Sequence, residues 1–282
     1  MKDIQWYPGH MTKTKRMMEA NMALVDVVIE LLDARIPYSS KNPDMDDLAR
    51  NKRRLVLLNK SDLADKSVTK RWEEYYQQRN LRTLAISATE KKVANRLAEI
   101  VRVIMSDKID REKKRGRQIV NIRAMVVGIP NVGKSTLINQ LSGSASAVTA
   151  DRPGVTRGKQ WIKVAKDFDL LDTPGVLWPK FEDQAVGEKL AFTGAINDTI
   201  LDIITLSESL IMWLMAEHPK AIPGRYKILE LEETTSRGIL EAIAIARGFK
   251  MKGGALDLER TAITLLDEFR GGKLGPITLE SP

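Results

Sequence analysis

The chain has 282 residues, 43% hydrophobic and 29% charged, which suits one large α/β domain plus a smaller one. It contains no Cys, which excludes disulfides and thiolate metal sites, and no apolar run approaches the ~18 residues of a membrane span. The net charge of +8 and pI of about 9.5 come from clusters, KTKR at 13–16, RNKRR at 50–54 and REKKRGR at 111–117. Such clusters are the footprint of a nucleic-acid partner, although any single run also suits a solvated helix end.

In chain order, MKDIQWYPGHMTKTKR lacks an apolar signal core, so a cytoplasmic protein with no membrane partner is expected. Residues 11–25 space apolar side chains at helical intervals behind a basic face, and 26–34, DVVIELLDA, reads as a buried strand. After a loop, RRLVLLN at 53–59 is the next strand. It runs into Asn59-Lys60-Ser61-Asp62, the Asn-Lys-x-Asp pattern by which GTP-binding proteins recognise guanine. In that role Asp62 accepts from the ring N1–H and the exocyclic amine, Asn59 contacts the other edge of the purine, and the Lys60 stem packs along the base. Adenine offers Asp62 neither donor, and sites of this kind discriminate by ~10⁴ or more.

A helix at 67–79 and a strand at 81–87 follow, and Ser87-Ala88 ends that strand where GTPases place a short backbone contact to the guanine carbonyl. From Val93 to about Arg115 one helix is expected, with Gly116 as its stop. The strand 119–128 then opens Gly128-Ile129-Pro130-Asn131-Val132-Gly133-Lys134-Ser135, which matches G-x-x-x-x-G-K-[ST] between a strand and a helix. Asn131, Val132, Gly133, Lys134, Ser135 and Thr136 are the candidate phosphate contacts. The glycines let backbone N–H groups turn onto the β-phosphate, Lys134 supplies a point charge between β- and γ-phosphates, and the Ser135 hydroxyl suits Mg²⁺.

Asp151 to Thr156, DRPGVT, reads as the mobile loop whose Thr hydroxyl caps Mg²⁺ only while the γ-phosphate is present. Thr156 is preferred over Thr149 because it directly precedes the strand near 159–165. The strand 168–172 ends in Asp172-Thr173-Pro174-Gly175, where Asp172 can hold Mg²⁺ through water and Gly175 can offer its N–H to the γ-phosphate. After Phe181 only helical periodicity remains, as in 185–196, 199–218, 237–249 and 258–270. The expected fold is therefore a mostly parallel α/β sheet in residues 1–181, with the N-terminal basic helix included, followed by an all-α domain in 182–282. Lys250, Lys252, Arg270 and Lys273 flank glycines in that domain and suit phosphate contact.

The base reader precedes the phosphate loop by 128 − 59 = 69 positions, the reverse of an ordinary GTPase. A parallel sheet tolerates such re-threading because the ligand site depends on where strand ends lie in space. Together with WYPGHM at 6–11, DARIP at 33–37 and LLDTPGVLWPKFED at 170–183, these motifs make the chain resemble the circularly permuted P-loop GTPases of the ribosome biogenesis GTPase A type. The resemblance covers essentially the whole chain.

It implies GTP hydrolysis stimulated by the large ribosomal subunit, binding to ribosomal RNA rather than DNA, and a place in late subunit maturation. Where Ras-like enzymes carry a water-orienting Gln after the D-x-x-G glycine, this chain has Val176. The resemblance points instead to His10 for the water, whereas the residues alone favour a helix-capping or RNA-contacting turn. It also implies that Asn131 ligates K⁺ near the β-phosphate, or else braces the loop. An RNA-binding GTP sensor with negligible hydrolysis is the alternative.

Overall fold

The computed structural model describes residues 11–142, 160–172, 183–228 and 235–282. His10, Thr156 and Gly175 lie outside these. The described residues divide into two compact units, one of residues 183–277 and one that combines residues 11–172 with Thr278–Pro282. The expected division at 181/182 counts the last five residues with the helical domain, whereas they group with the sheet. Leu279 and Glu280, 5% and 8% exposed, belong with the sheet-bearing unit.

That unit holds a six-stranded sheet of β1 (Val27–Asp33), β2 (Arg53–Asn59), β3 (Arg82–Ala85), β4 (Ile122–Gly128), β5 (Gln160–Ala165) and β6 (Phe168–Asp172). The spatial order is β3-β2-β1-β4-β6-β5, and of these strands β5 alone runs antiparallel to its neighbour. Every residue of β1 is buried, so VVIELLD shows no alternation, as a central parallel strand covered on both faces should not.

On one face α1 (Met11–Met22) sets Met18 and Met22 against Val28, Met125 and Leu171. The short α2 (Met45–Leu48) adds Met45 to this cluster. On the same face α3 (Lys66–Gln78) places Trp72 and Tyr76 on Leu32, Val56 and Leu58. The helix expected over 93–115 is two, α4 (Val93–Ile104) and α5 (Ser106–Lys114), because the buried Met105 breaks the helical backbone at φ −103°, ψ 12°. Gly116 follows α5 at φ +86°, the left-handed conformation expected of a glycine stop. Helix α6 (Lys134–Ser142) follows the phosphate loop and packs on β4, β5 and α4.

The second unit contains α7 (Gln184–Phe192), α8 (Ile203–Glu217), α9 (Ala221–Tyr226), α10 (Ser236–Arg247) and α11 (Leu258–Arg270). Four of them begin at side-chain caps, Asp183, Asp202, Thr235 and Asp257, each accepting a first-turn N–H that the helix cannot satisfy itself. Helix α8 packs on the other four and buries Leu206, Leu210, Ile211 and Leu214. Arg270 is taken up internally: it donates to the carbonyls of Ala191 and Phe192 at 2.8 and 3.1 Å and pairs with Asp198. It braces the unit, so its expected availability for phosphate contact is withdrawn. Among the described residues no helix is long and apolar enough to cross a membrane.

Candidate functional site

The sheet order explains how separated motifs meet. Strand β1 lies between β2, which ends at Asn59, and β4, which ends at Gly128. Parallel strands end on one edge, so the two loops leave the sheet two strands apart, ~10 Å at the usual spacing. That suits a ligand with a base at one end and phosphates at the other.

Asn59, 1% exposed, closes the distance. Its Nδ2 donates to the Val132 carbonyl at 2.7 Å, and its Oδ1 accepts from the Ala88 N–H at 2.9 Å. One side chain therefore clips the NKSD loop, the phosphate loop and the Ser87-Ala88 turn together. Sequence reasoning assigns Asn59 to the base alone; its bridging role comes from the fold. Lys60 adds a second tie, its Nζ donating to the Asn131 carbonyl at 2.8 Å. Ser61 donates its N–H to the Ile86 carbonyl at 3.1 Å, which joins the NKSD loop to the end of the neighbouring strand. Asp62 is exposed and, with Ser61, Ser87 and Thr89, lines a cavity of about 560 Å³.

At the phosphate end, Asn131 and Gly133 take left-handed φ of +55° and +95° and turn the loop into α6. Lys134 and Asp172, 7% and 5% exposed, approach to 3.1 Å at the ends of the loop and of β6. Ser135 and Thr136 stand in the first turn of α6.

Known proteins resemble this chain along its length. A family model described as "50S ribosome-binding GTPase" matches residues 123–240, which takes in the phosphate loop and leaves NKSD upstream. Ribosome biogenesis GTPase A of Bacillus cereus is 46% identical over 279 residues, spanning 99% of this chain and 94% of that one. Its counterpart in Priestia megaterium is 46% identical over 280 residues, spanning 99% and 97%. The chain belongs to the ribosome biogenesis GTPase A family. A crystal structure of GNP-bound YlqF from T. maritima superposes with a TM-score of 0.67 at 26% identity, covering 96% of this chain and 98% of that one. This family member is thus a GTP-binding P-loop GTPase whose motif order is circularly permuted.

The residues present suit a nucleotide. A Cβ on Gly133 would collide with Asn59 Nδ2, so the loop is drawn in as tightly as glycine allows. Ser135 and Asp172 are hard oxygen donors suited to Mg²⁺. Among the described residues no cluster of three or more His, Asp or Glu could hold a metal. A divalent ion here would complete its shell with phosphate oxygens and water.

Two residues to which sequence reasoning gives no role stand beneath the NKSD loop. Asp33, opposite Asn59 in the β1–β2 register, accepts from Arg35 Nε and Nη2 at 2.9 and 2.7 Å, and Lys60 Nζ lies 3.0 Å from its Oδ2. Burial alone would raise the Asp33 pKa, but Arg35 and Lys60 outweigh it and hold the carboxyl well below the usual range. The DARIP motif is the signal in the sequence that could have found them.

Proposed function

We propose that this GTPase reads guanine with Asp62, and that GTP binding and hydrolysis switch its attachment to ribosomal RNA during late maturation of the large ribosomal subunit in the cytoplasm. The observation that supports this best is the Asn59 clip, which joins the base-reading and phosphate loops through Asn59 and Val132, residues 73 positions apart. Asn59, Lys60 and Ser61 hold the reader in place, and Ser87-Ala88 meets the guanine carbonyl. The N–H groups of Asn131 to Thr136 and the Lys134 ammonium receive the phosphates, with Gly175 at the γ-phosphate. Ser135, Thr156 and Asp172 would hold Mg²⁺, which when bound neutralises charge on the β- and γ-phosphates. Asn131 would add a K⁺ ligand.

The family resemblance assigns His10 to the attacking water in place of the missing Gln. Val176 favours one second reading, an RNA-binding GTP sensor with negligible hydrolysis. Phosphate turnover with and without purified large subunits separates the two. Stimulation that fades steeply with salt is expected for phosphate-driven RNA contact, and no stimulation at any salt leaves the sensor. In the same assay His10→Ala should lower stimulated turnover with GTP affinity intact, and replacing K⁺ by Na⁺ should slow it if Asn131 ligates the cation.

A further inference from the structure

A remote segment grips the guanine-reading region from two sides. Thr278 Oγ1 accepts from the Asp65 N–H at 3.0 Å, three residues beyond Asp62. The Leu279 N–H donates to the Arg35 carbonyl at 2.8 Å, and Trp72 Nε1 donates to the Glu280 carbonyl at 3.1 Å. The Glu280 carboxylate accepts from the N–H groups of Tyr38 and Ser39 at 2.8 and 3.1 Å and from the Ser39 hydroxyl. The segment therefore closes the 35–39 turn against the start of α3.

Direct contacts continue inward. Arg35 holds Asp33, Asp33 holds Lys60, and Lys60 reaches the Asn131 carbonyl. Lys60 sits at φ +59°, a conformation that costs a non-glycine residue free energy and persists where its surroundings over-determine it. The 35–39 turn carries Arg35, and Asp65 fixes the exit of the NKSD loop, so both flanks of the reader are set by residues 278–280.

We propose that Thr278–Glu280 is a positioning strap for base recognition: by fixing Arg35 and Asp65 it sets the places of Lys60 and Asp62, and with them the preference for guanine. The proposal rests on the reading of Asp62 as the guanine acceptor. Glu280 touches no nucleotide in this scheme and acts through the turn it binds.

The test compares the affinities of the full chain for GDP and for IDP, whose hypoxanthine lacks the exocyclic amine. Glu280→Ala should weaken GDP binding by about tenfold, the loss expected when one hydrogen bond to a charged group is misplaced. IDP binding should change less, so the GDP/IDP ratio narrows. Glu280→Gln, whose amide oxygen still accepts from the turn, should recover part of the ratio. Should Glu280→Ala fail to fold, Ser39→Ala removes a single hydroxyl contact and is read in the same way.

An unchanged ratio in the variants overturns the strap, whether both affinities stay put or both fall together with the unfolding temperature. A wild-type chain that binds GDP no tighter than IDP overturns the guanine reading itself, and the strap with it. A wild-type preference that the variants retain removes the strap alone.

Discussion

Gly133 is required by a side chain remote in sequence. Its φ of +95° already disfavours an L residue, and its missing Cβ makes room for Asn59 Nδ2. Gly133→Ala would strain the backbone and push the clip off Val132. Strain of this kind corresponds to a loss of GDP affinity of about tenfold or more, measurable by titration calorimetry. Wild-type affinity in that variant would show that the loop does not need the clip. Asp33 makes a related point, since its buried carboxylate is tolerable only because two cations face it.

Among the elements, helix α3 connects the NKSD loop to the core. Asp65 caps it, its carboxylate accepting from the Ser67 hydroxyl at 2.6 Å and from the Ser67 and Val68 N–H groups at 2.7 and 2.9 Å. These bonds, the Ser67 hydroxyl foremost, lower its pKa. Beyond the cap, Trp72 and Tyr76 are buried against β1 and β2. Asp65→Ala should therefore cost about 1 kcal/mol in denaturant unfolding, the usual effect of a lost N-cap. No loss would mean that the packing of Trp72 and Tyr76 alone fixes the start of the helix. The strands were legible from their apolar runs, and β2 matches its expected bounds of 53–59. The break at Met105 was not, because helical spacing continues across it and only the backbone at that buried residue shows the change.

For the molecule as a whole, one carboxylate ties the stability of the helical unit to pH. In the helical unit Glu268 joins Arg225 of α9 and Arg247 of α10, each at 2.6 Å. Hydrogen bonding from Arg225, ahead of other causes, lowers its pKa from 4.5 to about 2. A depressed carboxylate contributes stability that is present above the unfolded-state value and lost as pH falls through the folded one. The helical unit should therefore lose stability between about pH 4.5 and 2. Glu268→Gln should flatten that slope, as followed by helical circular dichroism, and an unchanged slope would assign acid sensitivity elsewhere.

Local spacing and contiguous patterns were enough for the motifs, the strands that carry them, the helical texture after Phe181 and the family. Folding in three dimensions was needed to show that Asn59 spans three loops, that Asp33 and Arg35 stand under Lys60, that Arg270 braces its own unit, and that Thr278–Glu280 returns to the sheet-bearing unit. Those contacts join residues tens to hundreds of positions apart. Their partners are set by which strand ends adjoin in the sheet and by how the helices of the second unit pack, and no local spacing records that.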